Sequence, residues 1–212
     1  MTLSPEKITL PKSEEREINF LTSDEIEELL KAPDIRKVTG VRDRTILEML
    51  FSTGLRVSEI AGLVRAQVNL DRGEFAVKGK GARVRLVFLS KNATRWIKKY
   101  LEMRSDFSKY LFVRHNIGKK ERGESLSPLT PRSIQRIVEK YTKQVGIVKK
   151  VTPHVFRHSF ATDLLMGGAD LRSVQEMLGH SSVTTTQIYT HVTNKQLKEV
   201  HQAFHARRRK KA

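Results

Sequence analysis

The stretch HSSVTTTQIYTHV, His180 to Val192, places one phenol, Tyr189, behind a run of hydroxyl side chains, with His180 before it and His191 after it. A phenol titrates near ~10. It attacks an electrophile at neutral pH only where cationic neighbours stabilise its anion. Arg56, Lys80, His154, Arg157 and His180 are the groups that could do so, and they span more than a hundred residues. Only the fold could bring them to one oxygen. Packed with Ile188 and Val192, the same ring would be an ordinary core aromatic.

Each partner has its own chemistry. His154 and Arg157 stand at i, i+3, which puts them on one helix face near a helix start. Free backbone N–H groups and the helix dipole favour an anion there, so a phosphate suits the pair. His154 and His158 have the i, i+4 spacing of a zinc helix, but Val155 stands where the metalloprotease pattern has Glu, and the chain has no cysteine. No metal or other cofactor is expected. Arg56 lies in STGLRVSEI, where one helix stops and the next starts, and Glu59 could hold it by an ion pair. At any ordinary helix end the same arginine would be a solvated side chain. Lys80 sits between Gly79 and Gly81 at a hairpin tip, where backbone and ammonium can approach a ligand closely. GKG also suits a solvated turn, and Lys78 rivals Lys80 for any role.

These residues need elements to carry them. FLTSDEIEELLKAP predicts a helix opened by a Thr22–Glu25 capping box and a Leu21–Ile26 staple. VRDRTILEMLFSTG predicts a second, with Ile46, Leu47, Leu50 and Phe51 on one face and Gly54 as its stop. RVSEIAGLV starts a third. In EFAVKGKGARVRLVFL the period changes to two, with Phe75 and Val77 before the turn and Val84, Leu86 and Phe88 after it, which predicts a β-hairpin. Further helices follow over SKNATRWIKKYLEM, capped by Ser90; over LTPRSIQRIVEKYTKQVG, capped by Thr130 with Pro131 at N1; and over VTPHVFRHSFATDLLMGG, with Thr152 and Pro153 in the same places. YLFV reads as a short strand. DLRSVQEMLG, SVTTTQIYTHV and NKQLKEVHQAFH complete the helices. The fold class is mainly α with a small antiparallel β-sheet (α+β).

Bulk composition points to a polyanionic partner. The net charge is +17, and it is uneven. Residues 1–30 hold 8 acidic and 3 basic side chains, leaving 15 acidic against 37 basic in the remainder. Neutralising phosphates with counterion release would draw affinity from such an excess. No apolar run reaches the roughly 20 residues that span a bilayer. The N-terminus lacks the apolar core of a signal peptide. The absence of cysteine excludes disulfides and thiolate sites. A nucleic acid is the expected partner, with no membrane, for a soluble protein of the cytoplasm or nucleoid.

Together TGLRVSEIAGL, VKGKGARVRLVFL, VTPHVFRHSFATDLL and LGHSSVTTTQIYTHV, in this order over about residues 20–205, resemble the tyrosine recombinase (phage integrase) family, most closely its Xer-like members. The resemblance narrows the partner to double-stranded DNA and implies the DNA breaking-rejoining catalytic fold and metal-independent strand transfer through a 3′-phosphotyrosine. It implies Tyr189 as nucleophile and Arg56 and Arg157 as the clamp on the scissile phosphate. Lys80 matches the lysine that protonates the leaving 5′-oxygen, His154 the histidine that assists proton transfer at the tyrosine, His180 the histidine that hydrogen-bonds the phosphate and Glu59 a supporting acid. A tetramer on DNA, a Holliday-junction intermediate and an accessory protein come with the same resemblance, in chromosome dimer resolution or in mobile-element integration and excision. The expected division is a linker-like segment 1–20 with the family's core-binding domain absent, a catalytic domain 21–194, and a C-terminal helix and basic tail 195–212 that relatives donate to a neighbouring protomer. Two other functions compete: a non-catalytic helix-turn-helix DNA binder, suggested by DLRSVQEMLGHSSVTTTQIYTHV, and a type IB topoisomerase sharing the same chemistry.

Overall fold

The computed structural model describes residues 20–79, 84–115 and 126–179. Seven helices and one hairpin follow in the order α1 (Ser23–Lys31), α2 (Val38–Thr53), α3 (Val57–Ala61), β1 (Glu74–Lys78), β2 (Val84–Phe88), α4 (Lys91–Glu102), α5 (Pro131–Gln144), α6 (Pro153–Met166) and α7 (Leu171–Leu178). The expected mainly helical class with one small antiparallel sheet is what the chain adopts.

Helix starts follow the capping chemistry. The Thr22 hydroxyl accepts from the Glu25 N–H, and the Glu25 carboxylate accepts from the Thr22 N–H at 2.8 Å. Leu21 and Ile26 are both buried beside it. Ser90, Thr130, Thr152 and Asp170 each accept from the N–H three residues on, opening α4, α5, α6 and α7.

Helix α2 is the central element. Its surroundings correct the expectation of a single apolar face. Val41, Thr45, Ile46, Met49 and Leu50 are fully enclosed, whereas Phe51 is only half-buried. A helix covered on all sides loses its amphipathic stripe, and α2 packs against α1, α4, α5 and α6. Even its charges are inside. Asp43 is buried against Arg42 at 2.7 Å and accepts from the Tyr141 hydroxyl at 3.0 Å, while Glu48 pairs with Arg44 at 2.7 Å. Burial, reinforced by the Asp43 carboxylate, raises the Tyr141 hydroxyl well above its ordinary range.

The hairpin pairs Val77 with Arg85 and Phe75 with Val87. Phe75, Val77 and Val87 face inward; Val84, Leu86 and Phe88 face solvent. The alternation expected on β2 is present, but its apolar side is the outer one, because the register places Arg85 opposite the buried Val77. YLFV contributes isolated bridges, Val64 to Tyr110 and Val113 to Pro128, and no strand of its own. Among the described residues, no helix is long and apolar enough to cross a membrane.

Candidate active site

Two glycines stop the helices that frame the site. Gly54 ends α2 at φ +58° and Gly179 ends α7 at φ +65°, both left-handed. A helix C-terminus presents carbonyls without partners and a partial negative charge, which attracts cations. Here three arginines take three consecutive carbonyls. The Arg85 Nε donates to the Met177 oxygen at 3.1 Å, the Arg157 Nη2 to that of Leu178 at 2.6 Å, and the Arg56 Nη2 to that of Gly179 at 3.2 Å.

Arg157 also donates through Nη1 to the Gly54 oxygen at 2.5 Å. Its guanidinium therefore joins the C-terminal ends of α2 and α7. It is 6% exposed, so its charge rests on these carbonyl dipoles more than on water. Arg56 stands at the start of α3 and is partly exposed. Its backbone N–H donates to the Glu59 Oε2 at 2.8 Å and its Nη1 to the Glu59 Oε1 at 3.1 Å. The Glu59 pairing expected from spacing is thus both a helix cap and an ion pair.

Arg85 is the residue that sequence reasoning missed. It meets Glu59 with two parallel bonds, Nη1 to Oε1 at 2.9 Å and Nη2 to Oε2 at 2.8 Å. Burial works against the Glu59 charge, but the Arg85 and Arg56 hydrogen bonds and charges overcome it and hold the carboxyl below its ordinary value. A signal was available. With Phe75 and Val77 inward, hairpin register turns Arg85 inward as well, where a cation requires a buried acid.

His154 and Arg157 do not share surroundings as their spacing suggested. His154 is exposed at the second position of α6, whereas Arg157 lies a turn further in and points toward the α2 and α7 ends. His158 is half-buried. Burial first, then the His154 and Arg157 charges, hold its imidazole below its ordinary value. Among the described residues, no group of three potential metal ligands assembles. His154 lines a cleft of about 490 Å³ together with Val57, the residue after Arg56. The same cleft is also lined by Arg132, Lys143, Lys149 and Lys150, with Glu139 among them. The structure thus brings Arg56, Glu59 and Arg157 together around one helix end, with His154 at an adjoining cleft. Lys80, His180 and Tyr189 lie outside the described residues, although His180 directly follows the Gly179 that Arg56 touches.

Grouped guanidiniums of this kind can grip a phosphate. Among the described residues, Arg56 commits one N–H to Glu59 and one to Gly179, and a guanidinium carries five. Donors remain for a non-bridging oxygen.

Comparison with known proteins agrees with this chemistry. The sequence model of the Phage integrase family matches residues 19–196. Over 210 residues the chain is 44% identical to the tyrosine recombinase XerD of Chlorobaculum tepidum, covering 97% of this chain and 68% of that protein. Over 209 residues it is 41% identical to XerC of Pelotomaculum thermopropionicum, covering 95% and 66%. Among solved structures, the XerA recombinase superposes with a TM-score of 0.72 at 32% identity, over 87% of this chain and 64% of that one. The XerH site-specific recombinase bound to its difH substrate superposes at 0.67 with 29% identity, over 85% and 52%. The chain thus spans roughly two thirds or less of most of these relatives.

Proposed function

The chain belongs to the phage integrase family, and from that premise and the arginine cluster we propose that it is a site-specific tyrosine recombinase. In this reading residues 21–194 are the catalytic domain, and double-stranded DNA is the substrate. The observation that carries it is the gathering of Arg56 and Arg157 on the Leu178 and Gly179 carbonyls, at the chain position that leads into His180 and Tyr189.

The Tyr189 oxygen attacks the scissile phosphorus. A Tyr–O–P bond forms, the P–O5′ bond breaks, the phenolic proton passes to solvent with the help of His154, and the leaving 5′-oxygen gains a proton from Lys80. His180 donates to the phosphate. As the phosphorane forms, a second negative charge develops on the non-bridging oxygens. Planar, bidentate guanidiniums of Arg56 and Arg157 stabilise that charge without a metal ion. Glu59 keeps Arg56 in place. The covalent link retains the energy of the broken phosphodiester, so a 5′-hydroxyl from a partner strand can reseal it without ATP.

Recombination then follows as four strand exchanges through a Holliday junction in a tetramer on DNA, in the cytoplasm. Residues 195–212 exchange between protomers, and an accessory protein takes part. The basic cleft beside His154 supports a path for the DNA backbone, because Arg132 and Lys150 add positive charge along it.

The test is incubation of the full chain with nicked suicide duplexes, followed by denaturing electrophoresis. A covalent protein–DNA band that disappears in Tyr189→Phe is expected. Its absence across a random-sequence duplex pool would favour a non-catalytic DNA binder. Covalent adducts without Holliday-junction products would favour a topoisomerase.

A further inference from the structure

We infer that Arg85 is a positioning residue for strand cleavage, acting through Glu59 on Arg56; this rests on the recombinase reading.

The Glu59 carboxylate accepts four donors, two from each arginine. Oε1 takes Nη1 of Arg56 and Nη1 of Arg85; Oε2 takes the Arg56 backbone N–H and Nη2 of Arg85. Without Arg85 the carboxylate loses half of these donors and the two shortest side-chain contacts. It can then turn about its own axis, and Arg56 turns with it. The Arg85 side chain is only 10% exposed, as is that of Glu59, so water does not readily replace the lost bonds.

Arg85 also joins three segments that carry site residues. Its Nε holds the last turn of α7 through Met177. Its Cδ lies where a side chain on Gly179 would fall, 2.9 Å from an ideal Cβ there, so the chain leaves α7 against the Arg85 stem. Its backbone is paired with Val77, on the strand that Lys80 follows in sequence. One side chain thus fixes the Arg56 guanidinium relative to the end of α7 and to the hairpin. Lysine could not do this, because the bond to Met177 and the two bonds to Glu59 use the planar fork of the guanidinium.

A passive packing role and a positioning role differ in what they change. The probe is a nicked suicide duplex recovered from a random-sequence pool by covalent capture on the wild-type chain. Failure of that capture counts against the recombinase reading itself, before Arg85 is tested. With the duplex in hand, single-turnover cleavage and the dissociation constant are measured for Arg85→Ala and Arg85→Lys, alone and in the Arg56→Ala background.

Cleavage should fall about 100-fold in both single variants, with the dissociation constant changing less than about 3-fold, because misplacement costs rate while spread charge keeps affinity. In the Arg56→Ala background, Arg85→Ala should cost no more than about 3-fold further, since its effect passes through Arg56. If Arg85→Ala does not fold, Arg85→Lys carries the same cycle, since it keeps the charge and removes the planar fork. Wild-type cleavage rates in the single variants, a full repeat of the loss in the Arg56→Ala background, or a loss of binding equal to the loss of rate would overturn the inference.

Discussion

Gly54→Ala should damage the site from a position that itself carries no side chain. Two costs can be worked out. The backbone at Gly54 has φ +58°, where any L side chain pays about 1–2 kcal/mol. An added Cβ would press on Cδ1 of Phe160, with Cε1 of the same ring at 2.9 Å and Leu178 Cδ2 at 3.0 Å. Carbon atoms prefer roughly 3.5–4.0 Å, and Phe160 is buried in the α6–α7 cluster, so the ring has little room to retreat. Overpacking of this kind costs about 1–3 kcal/mol. The total is about 2–5 kcal/mol, which for a chain of this size lowers Tm by about 4–20 °C. Because the Gly54 carbonyl accepts Arg157, the same shift should slow cleavage. Denaturant titration of Gly54→Ala, Phe160→Leu and the double variant separates the two costs. Relative to Phe160→Leu alone, adding Gly54→Ala should cost the backbone part, about 1–2 kcal/mol, plus the milder Leu178 contact, because only the ring clash is relieved. A Gly54→Ala variant within about 0.5 kcal/mol of wild type would refute both the conformational and the packing argument.

Arg157→Lys should destabilise the chain by about 1–3 kcal/mol, because one ammonium cannot serve both the Gly54 and Leu178 carbonyls and one buried acceptor is left unpaired. In the same variant cleavage should fall at least about 100-fold with DNA affinity largely kept, measured by adduct formation and filter binding; unchanged cleavage would remove Arg157 from the clamp. A pH dependence is expected from His115, which meets the Tyr100 hydroxyl at 2.9 Å and whose pKa is lowered to about 4 by burial, then by the Arg42 and Arg104 charges. The unfolded chain takes up this proton below its ordinary value of 6.5, and the folded chain does so only near 4. Stability contributed here is therefore present above 6.5 and lost as pH falls toward 4. Thermal melts of wild type and His115→Gln should converge on acidification from pH 7 to 5, and parallel profiles would contradict the assignment.

How much of this was legible depends on whether a feature is local or tertiary. Thr22 with Glu25, Thr130 with Pro131, and Thr152 with Pro153 are decided within one helix turn, so side-chain chemistry at the N-cap exposes them in the sequence. Gly54 and Gly179 are equally local, since a left-handed stop selects glycine. Arg56 with Glu59 could be read because three residues separate them. The burial of α2 on every side could not, because it depends on helices up to a hundred residues away. Arg157 shows the boundary between the two. Its spacing from His154 suggested a shared anion-facing surface, whereas its long side chain reaches two distant carbonyls. Arg85 was hidden by parity, because Val84, Leu86 and Phe88 look like the core face until the pairing with β1 is known.

In the proposed reading, the arrangement explains how a phosphate clamp can sit inside a stable core. Buried guanidiniums are costly unless their donors are met. Here the acceptors are main-chain carbonyls at the ends of α2 and α7, which lack helical partners of their own. The arginines and the helix ends satisfy each other, so the cationic cluster costs the fold little. Among the described residues, Glu59 is the acid that Arg56 and Arg85 share. Among the described residues, one carboxylate against three guanidiniums leaves this place net positive, which in the proposed reading draws a phosphodiester to it. A second acid at this place would steady the arginines further but cancel the field that attracts the substrate. The use of neutral carbonyls as the remaining anchors is what allows the site to be both rigid and electropositive.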